Sequence, residues 1–526
     1  MNSIKVLDVT LRDGGCVNEF NFGQDYMDKI LEALERSGVD FIELGYIDEK
    51  NGSVSGRTQY SNEQVISTSF LKHKLPGITY VAMMDYGKFD VDKFQDRQES
   101  GIDGIRLAFH KKNWKDVTTL GRTIIDKGYQ FYVQPMLTLR YSDMELLELI
   151  KSVNEYLPDA SGFYIVDSFG EMRGTDVTRL MHLVDNNLNP GIALGFHSHN
   201  NLQLSYSNAM SLLSFPTNRN LMLDASVMGM GKGAGNLNTE LLLEHLNLYY
   251  GKTYRIAPLL ELIDQVINTL HKEMYWGYAA EYYLSSVNHC TPSYAGHFYN
   301  KHMLPIDQVA ELLGMIEEDK KNSFDRQYAE NLYLKYNASK TFDDTDVVDR
   351  LRKQFAGKRV LLVAPGKSIK DAADKISEIV TDRDVVSISL NNFEYDTDYV
   401  LTTRAEVFAE AQERGKAIIA PSRLTQICMD MVQVIDYQKW IIVDDETYDS
   451  SSVIALRLLE ELGAREIILA GFDGFSININ ENYFNTTLRH PVTEEQAVQR
   501  NEFYKNLIGR VSEKVKVRFL TKSLYQ

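Results

Sequence analysis

Two histidines one residue apart, His197 and His199, sit in the run Gly195-Phe196-His197-Ser198-His199-Asn200-Asn201. The apolar Ile192-Ala193-Leu194 before them reads as a buried strand. Side chains in a strand alternate faces, so both imidazoles point the same way. Paired imidazoles at a strand end can clamp a divalent metal, or each can simply bond a neighbour. A carboxylate to complete the set stands at Asp13, in Thr10-Leu11-Arg12-Asp13-Gly14-Gly15. One Asp and two His leave positions open for a substrate that chelates through two oxygens. Arg12 is a fixed cation suited to an enolate or a polarised carbonyl oxygen, or alternatively to a salt bridge.

Residues so far apart need a scaffold. From Ile4 onward short apolar runs alternate with helical patterns: Ile4–Val9, Phe41–Tyr46, Ile78–Met84, Gly104–Phe109, Gln130–Met136, Gly162–Val166, Ile192–Phe196 and Leu221–Val227 read as strands. Tyr26–Ser37, Val117–Lys127, Met144–Tyr156 and Leu237–Tyr250 are amphipathic. Eight such units in about 250 residues predict a closed (β/α)8 TIM barrel rather than an open sheet, with chemistry at the C-terminal strand ends. Those ends carry Arg12 and Asp13, Glu43, Arg106 and His110, Gln134, Asp167 and Ser168, the two histidines, and a glycine-rich loop Gly229–Asn236. Glu43 and Gln134 are expected to contact substrate from that rim.

Composition narrows the function classes. A formal net charge of −17 argues against nucleic-acid partners and anionic membranes. There is no membrane-length apolar run and no signal-peptide pattern, so a cytoplasmic chain without membrane insertion is expected. Cys16, Cys290 and Cys428 lie too far apart for a disulfide framework or a cysteine-based metal site.

The set Thr10-Leu11-Arg12-Asp13-Gly14, His197-Ser198-His199-Asn200 and Gly233-Ala234-Gly235-Asn236 resembles the DRE-TIM metallolyase superfamily, over about Ile4–Tyr250. The resemblance implies that Asp13, His197 and His199 are metal ligands, with Asn236 a further ligand or near neighbour. Arg12 would steady the enolate and Asp167-Ser168 would contact substrate. The aldolase branch fits best, through Asp224-Ala225-Ser226, Asp167-Ser168-Phe169-Gly170 and Gly277-Tyr278-Ala279-Ala280-Glu281-Tyr282. That last match carries a catalytic tyrosine to Tyr278, with Tyr282 second. One departure stands out: these aldolases place a histidine three residues after the motif's Asp, and here it is Cys16. His110, His289 and His297 are the remaining histidine candidates for a base.

Beyond the barrel, residues 255–345 read as a helical extension and linker, with Asn288–Tyr294 breaking the helices as a lid over the site and Lys340–Asp346 as a polar joint. Residues 346–526 return to alternation: Arg359–Ala364, Val385–Leu390, Tyr399–Thr402, Ala417–Ala420, Trp440–Val443, Glu466–Ala470 and Val515–Leu520. This predicts an open, Rossmann-like α/β domain. Its loops Val363–Ser368 and Leu469–Phe475 resemble sugar-nucleotide domains of some bacterial sialyltransferases and of pterin-pyrophosphokinase-like proteins. Gly366, Lys367 and Ser368 would then meet phosphates and Asp473 a ribose or sugar hydroxyl, the amides after Gly366 opening a helix.

Together these predict a metal-dependent carbon–carbon lyase whose barrel spans 1–254. A 2-keto acid would chelate the metal and become an enolate. An aldehyde or sugar nucleotide would be the partner, in surface-polysaccharide or nucleotide-sugar synthesis. Mn2+ is the expected ion, with Mg2+, Zn2+ and Co2+ open, and a homo-oligomer is expected. The alternatives are an acetyl-CoA-dependent Claisen-type synthase and an inactive barrel serving as a scaffold.

Overall fold

The computed structural model describes residues 3–50, 54–70, 74–302, 304–338, 342–443, 447–476, 478–484 and 494–526. They form two compact units: Met1–Ala295 with Glu317–Ser323, and Gly296–Ile316 with Phe324–Gln526. The helical stretch expected over 255–345 is shared between them. Ala257–Leu262 through Ala280–Val287 belong to the first unit, and Ile306–Gly314 and Arg326–Ala338 to the second.

The first unit is the TIM barrel. Its strands are β1 (Ile4–Asp8), β2 (Phe41–Ile47), β3 (Thr79–Asp85), β4 (Gly104–Phe109), β5 (Gln130–Pro135), β6 (Gly162–Asp167), β7 (Ala193–Ser198) and β8 (Leu221–Ala225). All eight are parallel and pair in sequence order. β1 closes the ring by pairing with β8 (Ile4 beside Leu221) and with β2 (Leu7 beside Phe41). The strands are apolar almost throughout because both faces are buried. Leu7, Val81, Tyr132, Tyr164 and Met222 pack inside the barrel. Their neighbours Val6, Phe163 and Ile165 pack outward against the helices. Helix Gln24–Ser37 shows how those helices are specified. Met27, Ile30, Leu31 and Leu34 recur at helical spacing on its buried face, and it stops at Gly38 in the left-handed conformation, φ 77°.

The second unit carries an open sheet of seven parallel strands: β9 (Arg359–Val363), β10 (Val385–Leu390), β11 (Tyr399–Leu401), β12 (Ala417–Pro421), β13 (Val432–Ile435), β14 (Glu466–Ala470) and β15 (Lys516–Phe519). Their spatial order is β13-β12-β11-β10-β9-β14-β15, so the winding reverses between β9 and β14. Helices cover both faces. Val360, Leu362 and Ile467 pack with helix Ser451–Glu461, while Leu361, Val363 and Ile468 pack with helix Ala373–Val380.

Three details differ from expectation. Val432–Ile435 is a strand although its Val-Gln-Val-Ile alternation went unread. Trp440–Val443 is not in the sheet: Tyr437–Trp440 is one helical turn, and Ile442–Val443 pairs antiparallel with Thr447–Tyr448. The joint at Lys340–Asp346 is no free linker at its far end. Asp344 is buried and accepts from Trp440 Nε1 at 2.7 Å, and Lys340 and Thr341 lie outside the described residues.

Candidate active site

The turn after β1 is wound on one carbonyl. The amides of Arg12, Asp13 and Gly14 all donate to Val9 O, at 3.1, 2.8 and 3.3 Å, which turns the next two side chains over the barrel mouth. His197 ends β7, and His199 forms an isolated bridge with Asn236 from the loop after β8. That loop needs glycine. At Gly235 (φ 84°) a Cβ would lie 2.0 Å from Gly229 O.

These elements bring the three predicted ligands together. Asp13 Oδ2 lies 3.3 Å from His197 Nε2 and 3.5 Å from His199 Nε2. His197 Nδ1 meets Asp224 Oδ2 at 2.9 Å, and His199 Nδ1 meets Lys232 O at 3.3 Å. Both imidazoles thus have an acceptor at Nδ1, the arrangement that turns the Nε2 lone pair toward the centre. Burial alone would raise the Asp13 carboxyl, but Arg12 and the two imidazoles outweigh it and hold it well below the usual range. Burial pushes His199 down to about 4, so its ring is neutral, as a ligand must be.

The donor set fits a divalent cation. Asp13 Oδ2 and Asn236 Oδ1 are both buried oxygens with no hydrogen-bond partner among the described residues, although Asn236 Nδ2 donates to Met230 O at 3.0 Å. Buried acceptors left bare beside two aligned imidazoles are what a cation binds.

Arg12 is held by its Nε, which donates to Glu43 Oε2 at 2.7 Å, while its Nη2 is buried without a partner among the described residues. Glu43 is wholly buried, and its other oxygen meets Arg106 Nη1 at 2.9 Å. Arg106 Nη2 bonds Asp224, which returns to His197. Arg12, Glu43, Arg106, Asp224, His197 and Asp13 thus form a closed ring, Asp13 Oδ1 standing 3.6 Å from Arg12 Nη1. Glu43, expected to contact substrate, is bonded into this ring through both oxygens. The amide oxygen of Gln134, expected at the same rim, when turned toward Arg106 accepts from its Nε at 3.2 Å and Nη2 at 3.0 Å. Arg106 and Asp224 were visible as charges in apolar strands, Leu-Met-Leu-Asp-Ala being the plainest signal, yet no role was read for them.

Asp167 and Ser168 are taken up by backbone. Asp167 accepts from Glu171 N and Met172 N at 2.9 and 3.1 Å, and Ser168 Oγ from Leu137 N at 3.1 Å. Burial raises Asp167 to about 7. Tyr278 is 56% exposed, at the head of helix Ala280–Val287, and bonds none of the groups above. Its neighbour Trp276 does engage the rim, donating from Nε1 to Met228 O at 3.0 Å. Of the three histidines considered as bases, His110 interacts with Asp85, which accepts from Tyr46 and feels Arg12. His289 pairs with Glu171 at 2.6 Å in the segment 288–294, and His297 pairs with Glu330 in the second unit. Cys16 is reached by solvent but hemmed in by protein and beside Asp13, which together push its thiol up to about 12.

In the second unit the expected phosphate loop is already filled. Asp473 Oδ2 accepts from Ser368 N at 2.8 Å and Asp473 Oδ1 from Ser368 Oγ, so a carboxylate of the chain sits on those amides. Gly366 permits this approach, since a Cβ there would lie 2.2 Å from Gly471 O. Lys367–Ile369 is a single 3-10 turn, not the start of a long helix.

A closed parallel barrel whose C-terminal rim gathers one aspartate, two histidines and an arginine defines a DRE-TIM metallolyase. Comparison with known proteins agrees. The HMGL-like family model matches residues 108–258. A 4-hydroxy-2-oxovalerate aldolase of Pseudoalteromonas translucida is 29% identical over 287 residues, 52% of this chain and 81% of that one. One from Comamonas testosteroni is 30% identical over 243 residues, 46% and 67% of the two chains. The solved N-terminal domain of a Bacteroides vulgatus protein described as an aldolase aligns at 25% identity and TM-score 0.46, covering 59% and 97%. The chain belongs to the HMGL-like family of divalent-metal-dependent carbon–carbon lyases, on its aldolase branch. No described helix is long and apolar enough to cross a membrane.

Proposed function

We propose that the barrel makes or breaks a carbon–carbon bond beside the carbonyl of a 2-keto acid. The observation that carries this is the bare, buried Asp13 Oδ2 between two imidazole nitrogens, with the free Nη2 of Arg12 on the next residue. Asp13, His197 and His199, with Asn236 as a further ligand, would hold a divalent ion, Mn2+ being one this nitrogen–oxygen set would accept, and the ion would supply Lewis acidity toward the keto-acid oxygens. Arg12 stabilises negative charge as it develops on the former carbonyl oxygen, which asks for a donor already in place. Glu43 keeps that donor in place by fixing Nε, and Asp224 fixes the ring of His197. The names of the relatives support a keto acid of the 4-hydroxy-2-oxo kind. An activated sugar as the carbonyl partner or product, in surface-polysaccharide synthesis, is the finer reading. It draws support from a cationic, tyrosine-lined pocket in the second unit.

Elemental analysis of protein purified without chelator, together with a coupled assay for pyruvate release from 4-hydroxy-2-oxo acids, tests the proposal. One bound divalent ion and turnover that chelation abolishes are expected. Metal-free protein under every divalent loading, with no turnover, overturns it.

A further inference from the structure

Where the winding of the second sheet reverses, between β9 and β14, the strand ends open into a pocket. Open parallel sheets take ligands at such a point. One wall is the first turn of the 11-residue helix Ser451–Glu461. Ser450 caps it, its Oγ accepting from Val453 N at 3.3 Å. The amides of Ser451 and Ser452 have no acceptor within the helix, both residues line the pocket, and the helix dipole favours an anion there. Asn391, held at φ 53°, braces this turn. Its Nδ2 donates to Ser451 Oγ at 3.0 Å, and its Oδ1 accepts from Thr402 Oγ1 at 2.7 Å.

A second, independent feature points to the same ligand charge. Arg423 lines the pocket at 5% exposure. Its guanidinium donates only to carbonyls, His302 O at 3.1 Å and Thr403 O at 2.8 Å, and its Nε has no partner among the described residues. No described carboxylate lies within ion-pair distance of it. Asp449, whose charge reaches Arg423 without a direct ion pair, is bonded by the hydroxyls of Tyr333 (2.9 Å) and Tyr437 (2.6 Å). Arg423 therefore has no direct ionic partner among the described residues, and an incoming anion would supply one. Lys301, paired with Glu330, and Arg500 also line the pocket, as do Asp449 and Asp473, whose oxygens are bonded by Tyr333 and Tyr437 and by Ser368. In the neighbouring cluster of His297, His302 and Glu330 the Lys301 ammonium bonds the same Glu330 oxygen that faces both imidazoles.

The opposite wall is aromatic. Phe475 and Tyr483 meet edge to face at 6.5 Å, backed by Tyr504 stacked on Tyr525 at 5.3 Å, with Arg500 over Phe475 at 5.2 Å. We propose that this pocket binds a nucleotide, with its phosphates on the amides of Ser451 and Ser452 beside Arg423 and its rings against Phe475 and Tyr483. The phosphate position is thus the helix at Ser451, not the turn at Gly366, whose amides Asp473 holds. The inference does not rest on the aldolase reading.

Calorimetry of the full-length protein with cytidine, uridine and adenosine diphosphates, pyrophosphate and inorganic phosphate tests it. At least one nucleoside diphosphate should bind about tenfold tighter than pyrophosphate, because stacking of the ring adds to the phosphate contacts. Ser452→Asp suits a helix N-terminus and should fold, yet should weaken nucleotide binding by about tenfold or more through like-charge repulsion. Arg500→Ala should also weaken it, and both variants should keep the metal content of the barrel. Absence of nucleotide binding, equal affinity for pyrophosphate, or a Ser452→Asp variant that binds like wild type would each overturn the proposal.

Discussion

Arg106 Nη1 stands 2.9 Å from Glu43 Oε1 inside the barrel, and neither side chain has any exposure to solvent. The pair links Arg12, beside Asp13, to Asp224, behind His197. The geometry of the rim is therefore set by charges buried beneath it.

Breaking that pair should destabilise the barrel. Glu43→Gln leaves two buried guanidinium groups, Arg12 and Arg106, short of a counter-charge. A buried ion pair that loses one partner costs about 3–5 kcal/mol. Urea unfolding followed by circular dichroism should show a loss of that order. A variant as stable as wild type would show that the ring has no structural weight.

Asp13→Asn should remove the bound divalent ion while the barrel stays folded, because only one ligand oxygen changes its charge. Metal analysis after dialysis reads the first effect and circular dichroism the second. Retention of a full equivalent of metal would exclude Asp13 as a ligand.

Arg12→Lys keeps the charge but loses the fork that reaches Glu43 and the substrate oxygen together. Turnover should fall about 10²–10³-fold, the usual cost of losing a preorganised donor, with metal content unchanged. Near-normal turnover would exclude the assigned role.

The second unit should lose stability in acid. Burial alone would raise the Asp449 carboxyl, but His302, Arg423 and Tyr437 outweigh it and lower it to about 2. A carboxyl depressed on folding contributes stability that is complete above its unfolded value near 4 and fades as pH falls toward 2. Asp449→Asn should flatten the acid limb of unfolding between pH 4 and pH 2. The fluorescence of Trp440, buried in this unit's core, is a direct monitor. An unchanged limb would show that Asp449 does not carry this dependence.

The barrel was legible because eight strand–helix units repeat, and a buried parallel strand announces itself by apolar residues on both faces. The clustering of Asp13, His197 and His199 was legible because the two histidines share a strand face and Asp13 follows the end of another strand. The bonds of Glu43 and Gln134 to buried arginines were not legible for a physical reason: sequence places a polar side chain at a strand end, but not whether it meets solvent or another charge. The bond of Asp473 to Ser368 was not legible either, since the amides after Gly366 could welcome any anion, and the chain supplies one of its own. Val432–Ile435 was missed because four residues carry too little alternation to stand out beside Met429 and Met431.

The first strand of the barrel is locked from far along the chain. Thr239 Oγ1 donates to the buried Asp8 at 2.6 Å across 231 positions, and Val227 N to Thr10 Oγ1 at 2.8 Å across 217. During synthesis β1 emerges first and must wait for its lock. At roughly 5–20 residues per second that wait is on the order of 10–50 s. Over that interval β2 and Glu43 are already made and can partner β1 and Arg12, but Asp224 and β8, which close the ring, come only near its end. The site is assembled last, at the moment the barrel closes, and a nascent chain halted before Thr239 should hold no metal at all.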